Sequence, residues 1–125
     1  MNDGGAASSN ALAAAKAAVA ADPHALPDEP LVEALDQLLA ARRLLDVAIA
    51  QFLAVADVRD ATVESYGRGT RAWLIEDKHL PGPGAGRLLK VAQRLALHPV
   101  MSDALAAGDS SIEHAAPILR TLAKL

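Results

Sequence analysis

Three cations stand at spacings of three and four in the middle of this chain: Arg87, Lys90 and Arg94. On an α-helix those spacings put side chains on one face, and a row of guanidinium and ammonium groups is the chemistry that holds phosphate oxygens. Just ahead of them runs LPGPGAGRLLK, residues 80–90, with glycines at 82, 84 and 86. A glycine-rich turn before a helix raises a second possibility, a cradle for a nucleotide. A P-loop, however, needs a strand before it and a Gly-Lys-Ser/Thr ending, so that amides wrap the phosphates while lysine and hydroxyl meet phosphate and magnesium; neither condition is met. A dinucleotide fingerprint needs the preceding strand as well. The stretch therefore reads as a turn with Pro83 near the first helical position, where its missing amide hydrogen costs nothing.

Other chemistry is poorly supplied. The four histidines, His24, His79, His98 and His114, fall in a linker, a loop, a helix end and a cap, and no two stand at the i, i+4 spacing that would put both imidazoles on one metal. Asp109, Glu113 and His114 lie close together, but a capping cluster explains them better than a cation site. No acid–base pair is recognisable. The absence of cysteine removes disulfides, thiolate zinc sites and cysteine nucleophiles together, and with no sign of an oxidising compartment the cytoplasm is the default. No cofactor, no metal and no catalysis are expected.

Charge is distributed unevenly. The net charge is −3, yet Ser65–His98 carries six basic and two acidic side chains, a local balance of 6 − 2 = +4, whereas Met1–Glu64 carries four basic and ten acidic ones. Arg68 and Arg71 stand in the same basic third and flank the triad. A local anion-binding face has this signature, and so does a solvated charged helix.

The elements that must position these cations are helical. No stretch alternates apolar and polar residues as a strand does, and with Phe52, Tyr66 and Trp73 as the only aromatics the interior must be made of Leu, Val, Ile and Ala. The alanine-rich run Ala11–Ala21 contains Lys16 and is too short to span a bilayer; it reads as a helix or frayed tail. DPHALPDEP, residues 22–30, with three prolines in nine positions, reads as an extended linker. The expected organisation is therefore an alanine-rich segment and proline-rich linker over 1–30, and a helical domain over 31–125.

Leu31, Leu35, Leu38, Arg42, Leu45, Ile49, Phe52 and Ala56 are separated by alternating steps of four and three, a seam of 3.5-residue period broken once by Arg42. It predicts a long helix from about Leu31 to about Ser65, stopped at Tyr66-Gly67 by a left-handed glycine. The seam must be buried on the chain's own later helices, which a single domain favours, or on a second copy. Thr70 is read as the cap of a short helix through Lys78 that turns Trp73 and Leu74 inward. A helix to about His98 then buries Leu88, Leu89, Val91, Ala92 and Leu95. Pro99 opens a further helix ending at Gly108; Ser110 or Ser111 caps the last one, which Pro117 should bend.

Two short helices joined by a turn, expected here over 70–78 and 84–98 with positive charge on the second, are the helix-turn-helix arrangement, whose second helix lies in the major groove. The joining loop is longer than the usual three or four residues, and a helical hairpin that happens to be charged is the alternative. Residues 45–74 and 80–116 also resemble the actinobacterial domain of unknown function 222, the N-terminal region of many proteins that carry an HNH nuclease at their other end. The likeness covers about 70 of the 125 residues. Its most specific pieces are Ala72-Trp73-Leu74, the Arg87-Leu88 to Arg94-Leu95 helix, and Ala104–Gly108 followed by Ser111, Glu113, His114 and Ala115. Leu88–Leu119 is similar, more weakly, to the helix-turn-helix region of ParB-type partition proteins. That likeness implies that the helix from Ala85 is the recognition helix, with Ser111, His114 and Ala115 as structural supports. No HNH motif occurs in these residues, so the family likeness implies a chain that stops where the domain would continue, without the nuclease.

The expectation is thus an all-α fold, one long helix packed against several short helices and containing a helix-turn-helix-like unit. It is a noncatalytic module that grips double-stranded DNA through Arg68, Arg71, Arg87, Lys90 and Arg94, without a membrane. The alternative is a protein-interaction or dimerisation module, a homodimer formed through the Leu31 to Ala56 seam.

Overall fold

The computed structural model describes residues 4–97, and over them the chain is all-helical, with no strand. The elements are α1 (Gly4–Ala20), a single 3-10 turn at Pro23–Ala25, α2 (Asp28–Val58), α3 (Ala61–Tyr66), α4 (Thr70–Glu76) and α5 (Gly82–Leu97). The long helix packs against shorter ones. The expected helices after Pro99, the caps at Ser110 or Ser111, the bend at Pro117 and the Asp109, Glu113 and His114 cluster lie outside the described residues. So does His98.

Backbone contacts divide the chain into two compact units, Met1–Gln37 and Leu38–Leu125, with the boundary within α2. In the first unit α1 buries no side chain. The stretch 22–30 is less extended than its prolines imply. Asp22 accepts a hydrogen bond from the His24 amide at 3.0 Å and caps the 3-10 turn, with Pro23 at its first position. α2 starts as early as Asp28, its first turn carrying Asp28 and Glu29 against the positive end of the helix dipole. Pro30 is tolerated there because a first-turn amide has no intrahelical acceptor.

In the second unit the core is Val47, Ala50, Leu53 and Ala54 from α2, Leu74 from α4, and Ala85, Val91, Ala92 and Leu95 from α5. Trp73, Ile75, Leu80, Leu88 and Leu89 pack against it, half-buried. The inward faces expected of α4 and α5 are therefore those observed. The face of α2 is not: Leu38, Leu45, Ile49 and Phe52 are all exposed, as is Arg42, and Ala56 is half-buried. The core side of the helix is a second stripe, at 47, 50, 53, 54 and 57. Among the described residues nothing covers the leucine seam, so the expectation that the chain's own later helices bury it is not met by α3, α4 or α5.

The long helix also ends early. Asp60 takes a left-handed conformation, φ 51°, which Asp tolerates better than most residues because its short polar side chain can bond locally. α3 begins anew at Ala61. Gly67, φ 72°, stops α3 as the sequence implied, its amide donating to the Val63 carbonyl at 2.9 Å. Thr70 is not a cap; Gly69 holds that position. The Thr70 hydroxyl instead donates to Asp57 Oδ1 at 2.8 Å, while Gln93 Nε2 donates to Asp57 Oδ2 at 2.9 Å. One carboxylate at the end of α2 thus ties down the first turn of α4 and the last third of α5.

Thr62, on α3, is 4% exposed and its hydroxyl has no partner. A buried hydroxyl without a hydrogen bond carries its desolvation penalty uncompensated, on the order of 1 kcal/mol. Thr62→Val, close to isosteric, should therefore raise the thermal midpoint; a fall in a melting curve would mean that the hydroxyl is satisfied in solution.

Candidate nucleic-acid interface

α5 carries the site. Its amphipathic pattern turns Ala85, Val91, Ala92 and Leu95 into the core, and the same 3.6-residue period puts Arg87, Lys90 and Arg94 on a different side. Arg87 and Lys90 are exposed and Arg94 is half-exposed. Seven residues separate the first from the last, so the row runs about 10 Å along the helix axis. That length matches roughly three nucleotides of one strand of a duplex. Among the described residues none of these three cations is in an ion pair; the salt bridges found there belong to Arg68.

The two flanking arginines behave differently from each other. Arg68, in the turn before α4, is held by both carboxylates at the end of that helix: its Nε lies 2.9 Å from Glu76 Oε2, and its Nη1 pairs with Asp77 Oδ1. It closes the ends of α4 upon each other and has the weaker claim as a phosphate ligand. Arg71 is exposed on α4 and lies against the first turn of α5. A Cβ built at Gly82 would stand 3.8 Å from its Nη2, and one at Gly86 3.7 Å from its Nε. The side chain runs alongside these two glycines, one helical turn apart, at distances where an added Cβ would make only ordinary contact. At Gly84 the corresponding point lies 4.0 Å from Arg87 Nη2. The glycines that suggested a phosphate loop thus lie beside two guanidinium groups without being required for their placement.

Electrostatics reinforce the arrangement. The first turn of α5 contains no acidic residue, so the positive end of its dipole is not neutralised by its own side chains. Arg71 and Arg87 add full charges beside it. Arg94 sits in the last turn, where a cation suits the negative end. The connection from α4 to α5 is Asp77–Pro81, five residues. It is shaped by His79 at φ 60° and by the Leu80 amide donating to the Leu74 carbonyl at 3.0 Å.

Two features were not visible in the spacing of the cations. Lys78 Nζ lies 5.4 Å from the Trp73 ring centroid, and Tyr66 stacks obliquely on the same ring at 5.7 Å, so a sixth cation of the basic third is placed over an aromatic face. Asp57 was not singled out at all, although it fixes the orientation of α5. Among the described residues no group of three His, Asp or Glu side chains could hold a metal ion, and no described helix is long and apolar enough to cross a membrane.

No family model, no curated protein and no solved structure matches this chain.

Proposed function

We propose that the chain is a noncatalytic helical DNA-binding module that presents α5 to the duplex, with α4 and α5 acting as a helix-turn-helix pair. The observation that carries this reading is the row Arg87, Lys90 and Arg94, which shares one face of α5 and is free of ion pairs among the described residues. Arg71, lying beside the first turn, is the fourth cation of the surface. Arg68 serves chiefly to hold α4. The connection of five residues is slightly longer than the usual three or four. The likeness of residues 45–74 and 80–116 to the domain found ahead of HNH nucleases supports the same reading, with cleavage assigned to a different segment or polypeptide.

Four phosphates neutralised by Arg71, Arg87, Lys90 and Arg94 would release counterions on binding. Log affinity should then fall against log salt with a slope of about −3.6, from roughly 0.9 per phosphate. A fluorescence-anisotropy titration of a labelled duplex, repeated from about 50 to about 200 mM salt, measures it. Absence of binding at the lowest salt would remove the proposal.

A second reading has its own observation: the exposed apolar side of α2. A protein-interaction module that pairs with a second copy through that seam, with or without DNA, accounts for leucines that nothing among the described residues covers.

A further inference from the structure

The seam on α2 within the second unit is Leu38, Arg42, Leu45, Ile49 and Phe52, all exposed, and the half-buried Ala56. A 3.5-residue repeat suits a partner helix with the same repeat, so a second copy of this chain is the natural occupant. What spacing alone leaves open is direction. We propose that two copies pair antiparallel through this segment, a deepening that rests on the self-association reading above.

Three complementarities point to it. In an antiparallel pair the alternating seam positions meet in layers whose residue numbers have a constant sum. With Leu45 opposite the partner's Ile49, the same register sets Arg42 opposite the partner's Phe52 and Leu38 opposite the partner's Ala56. The central layers are then wholly aliphatic. Arg42, the one break in the seam, meets an aromatic face that attracts a cation. In a parallel, in-register pair Arg42 would instead face its own copy, a like-charge contact in the middle of the seam. The third layer sets a large side chain against a small one, Leu38 against Ala56. Phe52, Val55, Ala56, Arg59, Gln51 and Ala61 line an open groove of about 500 Å³, towards which this register brings the partner's Leu38.

The area is of the right order but not generous. Leu38, Ile49, Phe52 and Val55 are each about half exposed. Together with Leu45 and Arg42 they offer roughly 500 Å² per copy, or about 1,000 Å² per pair, near the lower bound for a specific interface. The pair should therefore dissociate on dilution. Two-fold pairing would also give each dimer two copies of the α5 face, as palindromic half-sites require.

The chain has no cysteine, so single cysteines report direction cleanly. Leu45→Cys and Ile49→Cys are made separately, both at exposed positions where folding should be unaffected, and oxidised alone and mixed, beside sedimentation of the unaltered chain over a dilution series. The antiparallel pair predicts a concentration-dependent dimer, and disulfide formation several-fold faster between the two different variants than within either. A dimer that cross-links faster between identical variants overturns the antiparallel arrangement and leaves self-association standing. A dimer that cross-links in no combination uses another face and overturns it too. A monomer at every concentration overturns both.

Discussion

Reversing two charges on α5, Arg87→Glu together with Arg94→Glu, is expected to reduce duplex binding below detection while the fold stays intact. Arg71, Arg87, Lys90 and Arg94 neutralise about four phosphates, so removing two contacts and adding two repulsive carboxylates leaves a net of about zero. The salt dependence should then flatten from about −3.6 towards nothing. Replacing the same residues with Gln removes the contacts without the repulsion and should leave a slope of about −1.8. Because Arg87 is exposed, Arg94 half-exposed, and neither is in an ion pair among the described residues, the melting temperature should move little, as surface substitutions usually do. Arg68→Gln gives the opposite signature, since it removes the clasp on Glu76 and Asp77 and should loosen α4 more than it weakens a phosphate contact. If the double Glu variant binds as the parent does, the α5 face is not the interface. Anisotropy at fixed salt, with circular dichroism as the folding control, reads both quantities.

The parts of the molecule that could be read from the sequence are those in which one periodic signal acted alone. On α5 the apolar and basic residues fall on different sides with a single period, so Val91, Ala92 and Leu95 went to the core and the cations outside, as expected. Gly67 was legible for a similar reason: a glycine after a helical run seldom has another use. α2 misled because it carries two apolar stripes. The leucine-rich one dominates any reading by side-chain size, whereas the stripe that is buried depends on Ala50 and Ala54, small residues whose value lies in letting helices approach and not in their own hydrophobicity. The early end of α2 turned on one left-handed Asp60. The role of Thr70 turned on Asp57, thirteen residues earlier. Neither has a local sequence signature. The same holds for the site: which cations share a face was legible in the spacing of three and four, but which are bound to acids was not. Arg68 meets Glu76 and Asp77 only because the turn at Gly67–Gly69 brings them back.

Leu95→Ala should be the most damaging single substitution in the second unit. Among the described residues the fully buried core contains five side chains larger than alanine, Val47, Leu53, Leu74, Val91 and Leu95, and no aromatic ring, so each leucine carries a larger share of the apolar burial than it would in a richer interior. Leu95 is 2% exposed, and truncating such a leucine removes its transfer energy and leaves a cavity, together about 2–5 kcal/mol. A unit of this size has a total stability of only about 4–13 kcal/mol. The thermal midpoint should fall by at least about 10 °C. Leu97→Ala is the internal control, because Leu97 lies two residues further along the same helix yet is 73% exposed; it should melt with the parent. The pair also separates fold from function. Well below its melting point Leu95→Ala still presents Arg87, Lys90 and Arg94, and should bind DNA with the parental salt slope. On warming, its binding should disappear along with its helical signal and at the same temperature. A Leu95→Ala variant that keeps the parental melting point would mean that α5 is not packed through Leu95, and the face assigned to the cations would have to be redrawn.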